Sequence, residues 1–159
     1  HDLMKIGSDL PVCINQKTQH MKGFGEVLNV VNTFPNLPIL LVNPLKKVST
    51  QTVFRKLENK KNSPLSKYEK LFQTKKDWIN WLLLQQNDLM EPAVSVEPVI
   101  SEVLRLISNQ ISVKKVSMSG SGATCFGVFD NKHDCDLAMR KVRGERAEWW
   151  SVSTEIIST

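Results

Sequence analysis

Residues 116–130 read VSMSGSGATCFGVFD, two apolar stretches on either side of the run Ser119, Gly120, Ser121, Gly122, Ala123 and Thr124. Short apolar segments bounded by turn formers read as strands, and consecutive strands this close in sequence make an antiparallel hairpin. A hairpin connection needs only about two to five residues, and Gly120 and Gly122 permit positive φ values that other residues resist. The chain has only seven glycines, so two of them in one turn between buried segments ask for a reason. As a plain turn, the run closes a hairpin and does nothing else. As a ligand loop, its scarcity of side chains leaves backbone N–H groups open to a phosphate or another anion.

Outward from the hairpin, helical and strand patterns alternate. On the N-terminal side Val99, Val103, Leu106 and Ile107 recur at helical spacing, with Pro98 acceptable in the first turn. Trp78, Trp81, Leu82 and Gln85 define an earlier helix over about 77–86, with Thr74 and Asp77 at capping-box spacing and the tryptophan pair read as core. Val53, Phe54 and Leu57 follow Ser49 and Thr50 as a helix that NKKNSPLS at 59–66 ends. ILLV at 39–42 is a buried strand stopped by Asn43 and Pro44, FGEVLNVV at 24–31 another, and VCI at 12–14 a short one, with a turn over 15–20. HDLMKIGSDLP reads as a helix tail ending at Gly7. On the C-terminal side Asp134, Leu137, Ala138, Lys141 and Val142 form an amphipathic helix stopping near Gly144, and WWSVSTEII closes as a strand. This order predicts an α+β sandwich: one antiparallel sheet with helices packed on one face.

Composition narrows the function classes. A chain of 159 residues holds one well-cored domain, and no apolar run approaches the roughly 20 residues a membrane helix requires. Cys13, Cys125 and Cys135 show no CxxC spacing and read as reduced, mostly buried cytosolic thiols. The histidines lie far apart, and only His133 and Cys135, on what reads as an exposed helix start, come near ligand spacing, so no metal site is expected. The net charge of +5 arises largely from Lys60, Lys61, Lys67, Lys70, Lys75 and Lys76 in one polar stretch with little aromatic interleaving. That pattern describes a solvated surface rather than a nucleic-acid patch.

Three further stretches carry candidate chemistry. In GSDLP, at 7–11, Asp9 sits between a helix end and an apolar segment. It is either a turn aspartate or a carboxylate placed to accept a hydroxyl proton, as in phosphoryl transfers. VNPLKKVSTQTVF at 42–54 leads a strand through Pro44 into a helix start at Ser49 and Thr50, residues suited to capping or to a hydroxyl-bearing ligand. NDLMEPAV at 87–94 links two helices and reads as packing.

Taken in order, GSDLPVCI, GFGEVL, LVNP, VST, VF, NDLMEP and MSGSGAT resemble the GHMP kinase superfamily. They are most similar to its branch that phosphorylates 4-diphosphocytidyl-2-C-methyl-D-erythritol in non-mevalonate isoprenoid synthesis, and EWW at 148–150 fits the same branch. The resemblance implies a ferredoxin-like α/β plait over 35–159, preceded at 1–34 by a remnant of the N-terminal kinase domain. It implies that Asp9 takes the proton from the substrate's C2 hydroxyl as ATP, with Mg2+, delivers its γ-phosphoryl group. Residues Ser119 to Thr124 would border the phosphate region, and Ser49 and Thr50 the cytidine-diphosphate pocket. Two features of the family have no counterpart in these residues: a lysine that pairs with the aspartate, and a PxxxGLGGGSSDAA loop that holds the ATP phosphates. The expectation is therefore a C-terminal portion of a bacterial cytoplasmic kinase, inactive without its N-terminal half. The rival readings are a homoserine or mevalonate kinase, disfavoured by VNP followed by VST, and a ferredoxin-like RNA-binding module, disfavoured by the lack of alternating aromatics in the hairpin.

Overall fold

A computed structural model describes residues 10–15, 17–23, 25–58, 65, 72 and 74–157. In chain order the elements are α1 (Leu10–Asn15), β1 (Gln19–Lys22), β2 (Val27–Val30), β3 (Leu37–Asn43), α2 (Thr50–Lys56) and α3 (Lys75–Leu84). They continue with α4 (Met90–Val96), α5 (Val99–Ser108), β4 (Val113–Met118), β5 (Cys125–Phe129), α6 (Lys132–Glu145) and β6 (Trp150–Ile156). Strands β1 and β2 form a separate antiparallel ribbon with Gln19 opposite Val30. The other four make one sheet in the order β4-β5-β3-β6, antiparallel throughout. With α5 following β3 and α6 following β5, this is the βαββαβ connectivity of a ferredoxin-like plait.

The sheet is apolar on both sides because the CFGVF strand alternates between two packed layers. Cys125 and Phe129 join Leu40 and Val42 against Ile100, Val103, Leu106 and Ile107 of α5 and Ala138 and Val142 of α6. Phe126 and Val128 point the other way and join Leu37, Val31, Phe34 and the α3 residues Trp78 and Ile79. The expected helix layer on one face is thus formed by α5 and α6, while α3 covers the opposite face, including the surface a sheet-face RNA binder would need. Each fully buried aliphatic side chain contributes about 1.5–3 kcal/mol. The α5 helix, with four such positions facing the sheet, is therefore the main anchor of the first layer.

The helix ends follow the sequence closely. Ser49 caps α2, and Thr74 and Asp77 form a reciprocal capping box on α3, each satisfying an otherwise orphaned backbone N–H. Asn131 caps α6 through the Asp134 N–H at 2.9 Å. Lys115, half-buried on β4, donates to the Gln85 carbonyl at 2.6 Å just beyond the α3 C-terminus, where a cation meets unsatisfied carbonyls. Burial holds its pKa below the usual lysine value.

Several expectations need correction. VCI at 12–14 is not a strand but lies within α1. Three apolar residues do not distinguish a strand from a helical turn, and Pro11 has the φ a first helical turn requires. A strand also begins at Gln19, inside the stretch read as a turn; its polar residues show no alternation to reveal it. NDLMEPAV does pack, through Ala93, but it does so as a helix of its own, α4, with Pro92 in the first turn. Cys135 is buried rather than exposed, with the Ser153 hydroxyl 3.1 Å from its sulfur, while Cys13 is exposed. The helix tail before Gly7 lies outside the described residues. Among the described residues no helix is long and apolar enough to cross a membrane.

The thiols give a direct check on the layering. Burial pushes Cys125 up to about 12 and also raises Cys135, and the thiolate is the reactive form. A maleimide at pH 7 is therefore expected to label Cys13 alone in the folded chain, and Cys125 and Cys135 only after denaturant is added. Peptide mass spectrometry reads the sites, and rapid native labelling of Cys125 would contradict the packing of β5.

Candidate functional site

The loop between β4 and β5 divides into two halves with different surroundings. Ser119 and Gly120 are exposed, whereas Ala123 is buried. Both glycines have positive φ, +55° at Gly120 and +92° at Gly122. A Cβ added at Gly120 would meet nothing within 4 Å. At Gly122 it would lie 2.9 Å from Met118 Sδ and 3.1 Å from Ile100 Cδ1, both in the core. The expected bare loop is thus bare on its first half only; the second half is small because α5 presses on it. The peptide between Gly122 and Ala123 is cis.

Alanine at the two positions should separate these causes. Gly120→Ala is expected to cost about 1 kcal/mol, the penalty of a left-handed backbone in a residue with a side chain. Gly122→Ala adds a collision in the core and is expected to cost about 2–3 kcal/mol. Urea unfolding of both variants measures the difference, and equal costs would mean that the core contact at Gly122 is absent.

Three side chains from outside the loop hold it. Asn87, between α3 and α4, donates to the Met118 carbonyl at 2.8 Å and to the Gly120 carbonyl at 2.8 Å. Asn43, the last residue of β3, donates to Thr124 Oγ1 at 2.8 Å and accepts from the Leu45 N–H at 2.7 Å. Thr50, at the first turn of α2, shares a hydrogen bond with Ser121 Oγ at 2.8 Å. Across the loop base the Ser119 N–H donates to the Thr124 carbonyl at 2.8 Å, and the Gly122 N–H to Ser119 at 3.1 Å. Among the described residues neither Gly120 nor Ser121 donates its N–H to a backbone carbonyl. Two neighbouring donors therefore remain at the exposed end of a braced loop, an arrangement suited to an anion.

The structure brings together two of the three candidate groups. Thr50 touches the loop through Ser121, and Ser49 lies beside it as the α2 cap. Asp9 lies outside the described residues. Sequence reasoning missed Asn43 and Asn87 as loop supports, although LVNP and NDLMEP contain them; an asparagine whose partners lie 31 to 81 residues away leaves no local pattern. A cleft of about 710 Å³ opens beside the loop, lined by Lys56, Asn87, Asp88, Glu91, Lys115 and Ser117 among others. Its walls are mostly polar and charged, and it shares Asn87 with the loop.

A braced glycine-rich hairpin on a ferredoxin-like plait defines a class of domain. Residues 69–147 match the family described as GHMP kinases C terminal, and the fold is that of a GHMP kinase C-terminal domain. The chain is similar to 4-diphosphocytidyl-2-C-methyl-D-erythritol kinase of Dinoroseobacter shibae, at 40% identity over 149 residues, 94% of this chain and 52% of the relative. It is 36% identical over 154 residues to the kinase of the same name from Agrobacterium fabrum, covering 97% of this chain and 51% of the relative. The chain spans about half the length of the curated relatives it matches. Two solved structures share its fold. A crystal structure of 4-(cytidine 5'-diphospho)-2C-methyl-D-erythritol kinase aligns with a TM-score of 0.74 at 22% identity, over 96% of this chain and 54% of that one. Homoserine kinase from Cytophaga hutchinsonii aligns at 0.60 and 16% identity, over 94% and 50%.

Proposed function

We propose that this chain forms the glycine-rich side of the active site of a kinase in isoprenoid biosynthesis. The enzyme transfers the γ-phosphoryl group of ATP to the C2 hydroxyl of 4-diphosphocytidyl-2-C-methyl-D-erythritol. The observation that carries this reading is the contact of Thr50 with Ser121, which joins the start of α2 to the exposed half of the loop. It occurs in a chain 40% identical to a kinase of that name. In this reading the free N–H groups of Gly120 and Ser121 meet phosphate oxygens, where preorganised donors stabilise the charge on the transferred group. Ala123 and Thr124 set the far side of the loop, and Ser49 and Thr50 border the cytidine-diphosphate end of the substrate. Asp9 accepts the hydroxyl proton. In this reading residues 35–159 constitute the C-terminal domain, with Val31 and Phe34 of the preceding segment 1–34 already packed on its α3 face, and the rest of 1–34 belongs with the N-terminal half of the enzyme, which is the partner this chain works against in the bacterial cytoplasm.

Magnesium accompanies ATP in such transfers, but among the described residues no group of three or more His, Cys, Asp or Glu side chains is placed to hold a metal ion. Magnesium bound with ATP takes most of its ligands from phosphates and water and needs only one or two protein carboxylates, so such a cluster is not required. Positioning and charge stabilisation dominate phosphoryl transfer, so the 159-residue chain assayed alone is expected to be inactive. The test is an ADP-release assay of the complete gene product containing these residues, with ATP, magnesium and each of three alcohols. Phosphorylation of 4-diphosphocytidyl-2-C-methyl-D-erythritol is expected. Preference for homoserine or mevalonate, or activity of the isolated chain, would overturn the respective part of the proposal.

A further inference from the structure

Asn87 lies outside the glycine-rich run but is hydrogen-bonded to two of the loop's carbonyls. Its amide donates both hydrogens, one to the Met118 carbonyl and one to the Gly120 carbonyl, each at 2.8 Å. Its own Oδ1 accepts the Leu89 N–H at 3.0 Å, and its carbonyl accepts the Met90 N–H at 3.0 Å, so the start of α4 fixes the side chain in place. In a trans peptide the C=O and N–H point in opposite directions. Holding the Met118 carbonyl toward Asn87 turns the Ser119 N–H away from it, and that N–H does reach across to the Thr124 carbonyl at 2.8 Å. Holding the Gly120 carbonyl toward Asn87 likewise turns the Ser121 N–H away from it, and among the described residues that N–H donates to no backbone carbonyl.

We propose that Asn87 is a positioning residue for phosphoryl transfer: by holding the Met118 and Gly120 carbonyls it aims the Ser121 N–H at the phosphate. Gly120 has no side chain and nothing lies within 4 Å of where one would start, so the direction of the Gly120–Ser121 peptide depends on its hydrogen bonds rather than on packing at that residue. If that peptide turns over, the site presents a carbonyl oxygen where it had presented a donor, and an attractive contact with an anion becomes a repulsive one. Asn43 braces the loop differently, through the Thr124 side chain, and leaves that peptide's direction untouched. The inference rests on the kinase reading above and assigns to it a residue outside the glycine-rich run.

Asn87→Asp tests it with nearly constant shape, since a carboxylate placed against two carbonyls repels both. In the complete gene product the variant is expected to lower kcat about ten- to a hundredfold, with KM for the diphosphocytidyl alcohol within about twofold, as for loss of a transition-state donor. Asn87→Ala, which removes both donors without adding a repelling charge, is expected to lose less, and it serves as the test if the aspartate variant does not fold. The Ser121 amide resonance, recorded on the 15N-labelled protein, is expected to move in both variants while resonances in α6 stay in place. An unchanged kcat in a folded variant, or an unmoved Ser121 resonance, would overturn the role of Asn87 and leave the kinase reading standing. A wild-type protein that phosphorylates none of the alcohols would overturn the kinase reading and this inference with it.

Discussion

Trp78→Ala is expected to lower the unfolding free energy by about 3–5 kcal/mol, the range for removing a buried aromatic ring from a core that collapses only partly around the gap. Trp78 is 2% exposed and lies at the centre of the layer between α3 and the back of the sheet. Three rings surround it: Phe34 at 5.0 Å, Phe72 at 5.2 Å and Trp81 at 5.8 Å between centroids, all tilted or edge-on. Such arrangements contribute beyond the buried area, by about 0.5–1.5 kcal/mol per pair. Against a total of about 5–15 kcal/mol for a domain of this kind, the loss would be a large fraction of the whole. Trp150, which is 47% exposed on β6, is the control, and its replacement by alanine is expected to cost less than about 1 kcal/mol. Urea unfolding followed by far-ultraviolet circular dichroism measures both. A cost below about 1 kcal/mol for Trp78→Ala would mean that α3 does not depend on this contact for its place on the sheet.

The same contact links stability to the site. Helix α3 ends just before Gln85 and Asn87, and Asn87 holds two carbonyls of the glycine-rich loop. A variant that loosens α3 on the sheet therefore also loosens one of the loop's three supports, whereas Gly120→Ala changes the exposed half of the loop and nothing behind it. The order of effects on structure is thus set by which layer a residue serves: Trp78 the back face, Gly122 the α5 face, and Gly120 neither.

How far the sequence disclosed this arrangement depends on the range of the forces involved. Elements specified by their own periodicity and caps were legible: β3, α5, the β4–β5 hairpin and α6 all stand where apolar spacing and turn residues put them. A continuous apolar strand such as CFGVF is one buried on both faces, a sign that the sandwich expected from the element order, with helices on one face, left out. What it could not disclose is which helix covers which face, because Trp78 reaches Val128 across 50 residues of chain with no pattern linking them. VCI and β1 failed as readings for a different reason. Three or four residues span only about one helical turn, too few for either period to repeat, so neither could be distinguished there. The loop itself was legible as small and glycine-rich, but Gly120 and Gly122 look alike in sequence and differ only in what packs behind them. The supports Asn43 and Asn87 act through hydrogen bonds to distant backbone and hydroxyl groups, which no local spacing encodes.

Asp9→Asn in the complete gene product is expected to lower kcat by about 10²- to 10⁴-fold, the usual contribution of a positioned general base. The substitution preserves size and hydrogen bonding while removing the basic oxygen, so the alcohol must lose its proton without help. KM for the alcohol should change little, because an interaction made only in the transition state leaves ground-state binding alone. The competing role for this residue makes a different prediction. Asp9 directly precedes α1 in the chain, and an aspartate at a helix start is worth about 1 kcal/mol as a cap. Asparagine caps nearly as well, so under that role neither stability nor kcat would move appreciably, whereas Asp9→Ala would lower stability. Measuring kcat, KM and urea unfolding for both substitutions separates proton acceptance from capping. A fall in kcat shared by asparagine and alanine, with stability unchanged in the asparagine variant, is the signature expected of the proton acceptor. Full activity in Asp9→Asn would remove the carboxylate from the chemistry and leave the glycine-rich loop to bind phosphate without it.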